Sequence, residues 1–199
     1  MRSVNFDRRA ARIAAVGLIA VVSAVVGSLA VNAQMSGHGS GGHMHGTDGT
    51  GHDEVNMPGL RGENATFEES AELAVLFRNF DTITREVEEL PNGIRTVTRS
   101  SDERVLGVLI SHVVGMIDRV KRGDDPQIMI QSPTLDIIFL RGGAIESEVE
   151  VTDDGIVVVQ TSDDPDVVEA LHVHAGEVSS MVDRGMQAVH EMMMTGARN

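Results

Sequence analysis

From Thr66 onward the apolar positions recur at helical spacing, then alternate, then return to helical spacing, and this succession occurs twice. Thr66 with Glu69 forms a capping box, and Phe67, Ala71, Ala74, Phe77 and Phe80 trace one face of the first predicted helix. Alternation over 83–90 and 94–99 predicts two strands. They are joined at Asn92-Gly93, a pair that supplies the positive φ values of tight hairpin turns. Ser100 with Glu103 is expected to cap a long helix that runs to Arg122 and stops at Gly123-Asp124-Asp125-Pro126. In the second half the turn pair is Asp154-Gly155, and Asp164-Pro165 opens the long helix, which is expected to continue past Gly185 to Met194.

Residues 76–123 align without a gap on 138–185, with 16 identities in 48 positions. Average composition gives roughly three or four. The identities include Phe77/Phe139, Glu86-Val87-Glu88/Glu148-Val149-Glu150, Gly93-Ile94/Gly155-Ile156, His112/His174 and Arg122-Gly123/Arg184-Gly185. The expected fold is α+β and internally duplicated, a helix, a β-hairpin and a long helix used twice. A four-stranded antiparallel sheet would carry the helices on one face. One pseudo-twofold domain is expected over 64–199, with repeats at about 66–123 and 133–194. An isolated hairpin and helix would bury too little to stand alone.

Two segments precede that domain. Arg2, Arg8, Arg9 and Arg12 followed by the apolar run 13–30 and the ending Val31-Asn32-Ala33 form a signal peptide over 1–33, cleaved before Gln34 or kept as an uncleaved anchor. The expected location is periplasmic or secreted, with membrane contact only through an uncleaved signal. Residues 34–63 are rich in Gly, His, Met and Ser and poor in groups that build a core, so they are expected to be disordered.

Composition narrows the chemistry. Loss of four Arg and one Asp with the signal takes the formal charge from −14 to −17, which disfavours nucleic acid and attracts cations or a basic protein partner. There is no cysteine, hence no disulfide, thiolate nucleophile or c-type haem attachment. No nucleophile elbow, P-loop, dinucleotide fingerprint or H-E-x-x-H occurs, so a non-enzymatic protein is expected.

The candidate ligands fall into groups. His38, His43, Met44, His45 and His52 place imidazole and thioether on a glycine-flexible chain, and that pair of ligand types favours copper. His112 lies on the stripe Val105, Leu109, His112, Met116, Val120, and His174 on the matching stripe Val167, Leu171, His174, Val178, Val182. Facing the core, the two histidines are a candidate copper pair or, alternatively, axial ligands to haem b; the plain reading is two buried, satisfied histidines. His172 is expected to point to solvent. His190 with Met192-Met193-Met194 is either a further soft-metal cluster or a frayed helix end. Strand alternation sets Glu86, Glu88, Glu148 and Glu150 on one sheet face, a solvated surface or a docking face for a basic partner.

Leu76-Phe77, Leu90-Pro91-Asn92-Gly93-Ile94, Ser101-Asp102, His112, Thr161-Ser162-Asp163-Asp164-Pro165 and His174-Ala175 resemble the pattern of a group of small, exported, mostly uncharacterised bacterial proteins. The likeness covers roughly 65–194. It implies export and a duplicated helix–hairpin–helix unit, and it supplies no activity. Members often carry further histidines where this chain has Phe80 and Arg141, so no multi-histidine site is carried over. The expected function is metal binding, copper above all, with a haem or redox carrier or a structural interaction module as alternatives.

Overall fold

A computed structural model of the chain describes residues 57–196, so the expected signal peptide and most of the His/Met segment lie outside the described residues. The fold is α+β: five helices and a four-stranded antiparallel sheet. Helix α1 (Phe67–Arg78) leads through a 3-10 turn into strands β1 (Ile83–Leu90) and β2 (Gly93–Ser100), then helix α2 (Glu103–Arg122). Helix α3 (Pro133–Leu140), a second 3-10 turn, β3 (Glu146–Val151), β4 (Gly155–Thr161) and α4 (Pro165–Arg184) follow in the same order, and α5 (Met186–Gly196) closes the described chain.

The sheet order is β1-β2-β4-β3, so the two hairpins join through their second strands. Pairing of Thr96 with Val158 and Thr98 with Ile156 fixes the central register. Ile94, Ile156 and Val158 then point to the face that the long helices cover. Ile94 packs with Val167, Ala170 and Leu171, while Ile156 and Val158 pack with Leu109 and its neighbours. The rows Glu86–Val97–Val157–Glu150 and Glu88–Arg95–Val159–Glu148 cross the other face, so the four glutamates do share it.

The α1 capping box forms as expected, with Thr66 Oγ1 accepting from the Glu69 amide and Glu69 Oε2 from the Thr66 amide. The apolar face expected on α1 is less buried than its pattern implies: Phe67 is 86% exposed and Ala71 is exposed, while Leu76 packs against the core. The α2 cap shifts to Asp102, whose carboxylate accepts from the Arg104 and Val105 amides. Ser100 is taken up by β2, opposite Ile83, and its hydroxyl accepts from the Asp102 amide.

The second long helix does not run through to Met194. It ends at Arg184, and Gly185, at φ 57°, separates it from α5. A Cβ at 185 would sit 2.8 Å from the Phe80 ring, so a residue from the first half of the chain packs closely against this break.

Residues before 64 also pack on the domain. Met57 and Leu60 are buried, and 62–64 hydrogen-bond to 126–128 as a short antiparallel bridge. Among the described residues no helix is long and apolar enough to cross a membrane.

Candidate functional site

The stripes on the long helices place His112 and His174 on inward faces, each beside a carboxylate. His112 Nδ1 lies 3.7 Å from Oε2 of Glu72 on α1, and Glu72 Oε1 accepts from the Ser111 hydroxyl at 2.5 Å. His174 Nδ1 lies 3.6 Å from Oε2 of Glu177, one turn along the same helix. Glu177 Oε1 accepts from Ser132 at 2.6 Å and from Thr134 at 3.4 Å, which seats it against the N-terminus of α3.

Both separations exceed hydrogen-bond length, and they become ion pairs only when the imidazole holds its second proton. His112 Nδ1 and Glu177 Oε2 are buried without a hydrogen-bond partner. The His112 imidazole holds the Glu72 carboxyl below its ordinary pKa; burial works against this and Ser111 assists it. Burial raises the Glu177 pKa, but His174 with Ser132 and Thr134 outweigh it and leave the carboxyl below its ordinary value.

The two halves solve the same problem with different residues. At the 62-residue offset Glu72 corresponds to Thr134 and Gly115 to Glu177, so the carboxylate comes from the short helix in one half and the long helix in the other. The structure thus gives the two histidines separate partners. Among the described residues no three His, Asp or Glu side chains converge as metal ligands. His38, His43, Met44, His45 and His52 lie outside the described residues.

His172 differs from its expected solvent-facing role. Its Nε2 donates to the carbonyls of Leu90 at 3.1 Å and Gly93 at 2.8 Å, tying α4 to the β1–β2 turn. Contact with two acceptors requires the proton on Nε2, which makes Nδ1 the acceptor of the neutral ring. The ring lines an open depression of about 510 Å³ with Pro91, Asn92, Asp163 and Glu169. His172→Ala is expected to cost about 1–2 kcal/mol, the lower part of the range for leaving a polar group unsatisfied, because both carbonyls are only part-buried. Amide exchange in β1 and β2 next to the turn should quicken; unchanged exchange there would show that the turn does not depend on this ring.

Arg85 is the other residue the strand pattern does not single out. It points to the helix side of β1, donates from Nη1 to Thr98 Oγ1 at 2.8 Å, and has a buried Nε without an acceptor. Burial lowers its pKa to about 10. The sequence signal was present: Arg85 alternates with the glutamates and so had to face the helices.

On the open face Arg99 pairs with Glu86 at 2.7 Å and Asp154 at 3.3 Å, which leaves Glu88, Glu148 and Glu150 as an acidic surplus around Arg95. Comparison of the chain with family models, curated proteins and solved structures found no match in any of the three.

Proposed function

We propose that this chain is an exported, non-enzymatic metal-binding protein that handles copper outside the cytoplasm. The observation that carries the reading is the segment holding His38, His43, Met44, His45 and His52 between glycines. Imidazole and thioether together suit copper in either common oxidation state, and a glycine-rich chain lets them wrap the ion. The basic n-region, apolar run and small-residue ending support export. The 62-residue offset and the repeated order of elements support one unit used twice, which serves as the platform for the segment.

Elemental mass spectrometry on untagged full-length protein tests this beside a variant with all four tail histidines (38, 43, 45, 52) changed to Ala. Copper in the wild type and a clearly lower copper content in the variant is the expected result. Equal copper in both would move the site into the folded domain, with His112 and His174 the next residues to change. No metal in either would end the reading, and a Soret band would turn it toward haem b at that pair.

A second reading is favoured by the sheet register, which lines one face with glutamate. There the domain is an interaction module whose open face docks a basic protein. Capture of such a partner should weaken steeply between low and physiological salt.

A further inference from the structure

The separation of α5 from α4 sets a third group of soft ligands in order. Five of the eleven methionines stand within 181–194: Met181, Met186, Met192, Met193 and Met194. Helix α5 is anchored by Ala188 and Val189, which are 5% and 1% exposed. Met193 and Met194 are about half exposed, so the packing of α5 does not account for them, and His190 on the same helix is exposed as well.

At about 100° per residue, Met186, His190 and Met194 fall within an arc of about 80° largely opposite that anchor, and Met193 stands about 60° from His190 on the flank next to Val189. Side chains lean toward the N-terminus of their helix, so Met193 and Met194 reach back over the turn that carries His190. Positions three and four apart stand about 5–6 Å between Cβ atoms, a gap that two flexible thioethers and one imidazole can close around a single ion.

We propose a soft-metal site on this face of α5, with His190, Met193 and Met194 as ligands and Met186 at its edge. All four donors are neutral and three are thioethers, a set that favours a soft monovalent ion, Cu(I) or its redox-inert surrogate Ag(I), over Zn(II) or hard cations. The site is separate from the His/Met tail and does not depend on it.

The test is a titration of full-length protein, labelled with ¹³C at the methionine ε-methyls, with Ag(I). The Met193 and Met194 methyl signals should shift together and reach saturation as a single ion fills the site. Met193→Leu with Met194→Leu leaves Ala188 and Val189 in place and should abolish that saturable event while the helical circular dichroism is unchanged. His190→Gln should weaken it. The Met44 methyl reports the tail in the same spectra, so the two sites succeed or fail separately. Met193 and Met194 signals that stay fixed, or that drift without saturation, would overturn the proposal whatever Met44 does.

Discussion

Arg119→Met is expected to destabilise the domain by about 3–5 kcal/mol, the range for removing one partner of a buried ion pair. Arg119 is 7% exposed. Its Nε and Nη2 grip both oxygens of Glu69 at 2.5 and 2.9 Å. Nη2 also donates to the Asn64 carbonyl at 2.9 Å, and Nη1 faces Asp124 Oδ2 at 3.0 Å. One guanidinium therefore ties the capping box of α1, the segment before it and the C-terminal end of α2.

Burial raises the Glu69 pKa, but Arg119 and Thr66 outweigh it and hold the carboxyl below its ordinary value. A lowered carboxyl adds stability that is fully present above its unfolded value, near 4.3 or so, and is lost as pH falls through the folded one. In the Arg119→Met variant Glu69 is left without its cation, so the gap between wild type and variant should narrow as pH drops through that window. Urea unfolding at a series of pH values reads this directly, and a pH-independent gap would show that lost packing accounts for the change.

The second half of the chain supplies a control. At the 62-residue offset Arg119 corresponds to Met181 and Glu69 to Gln131, so that half has no such ion pair. Gln at 69 can still reach the Thr66 amide as a capping-box partner. Glu69→Gln combined with Arg119→Met should accordingly cost less than Arg119→Met alone, because no buried carboxylate is left unpaired.

Much of the architecture was legible because it is local. Period-two runs bounded by turn residues marked both hairpins, and Thr66, Gly123 and Asp164-Pro165 marked helix ends that the structure keeps. The departures come from contacts distant in sequence. Gly185 inside a helical pattern passes for a tolerated glycine, whereas its positive φ and the Phe80 ring packed against it appear only in the folded chain. Ser100 has the side chain of a cap, but strand pairing takes it and leaves that place to Asp102. His172 sits off the apolar stripe as expected, but the β1–β2 turn folds over that side of α4. The Glu177 partner of His174 could have been read from its i, i+3 spacing, whereas Glu72, forty residues from His112, could not.

Gly93→Ala is expected to cost about 3 kcal/mol, the upper end of the range for forcing extra volume into a packed site. The Asn92-Gly93 pair implied a turn with positive φ at both residues. The structure instead pairs Leu90 with Gly93, leaves Pro91 and Asn92 as the loop, and gives positive φ only to Gly93, at 157°. What requires glycine is mainly space. A Cβ at 93 would stand 1.9 Å from the Gln160 carbonyl oxygen and 2.8 Å from Thr161 Cα, both main-chain atoms of β4 that cannot swing aside.

Gly155, its counterpart at the 62-residue offset, has no positive φ, yet its Cβ would lie 2.4 Å from the Thr98 carbonyl oxygen. Each glycine thus lets the other hairpin's central strand approach. The junction at 93 carries more than pairing: the Gly93 carbonyl accepts from His172, and the neighbouring Asn92 carbonyl accepts from the Ser162 amide. Pushing β2 away from β4 there loosens the β2–β4 seam and the α4 anchor together. Asn92→Ala separates the two explanations. A turn that needed positive φ at both positions would make it costly, whereas a close approach at 93 leaves it within about 0.5 kcal/mol of wild type, as for ordinary exposed positions. Urea unfolding of the two variants decides between them, and a Gly93→Ala protein as stable as wild type would show that β2 and β4 do not meet as closely as 1.9 Å implies.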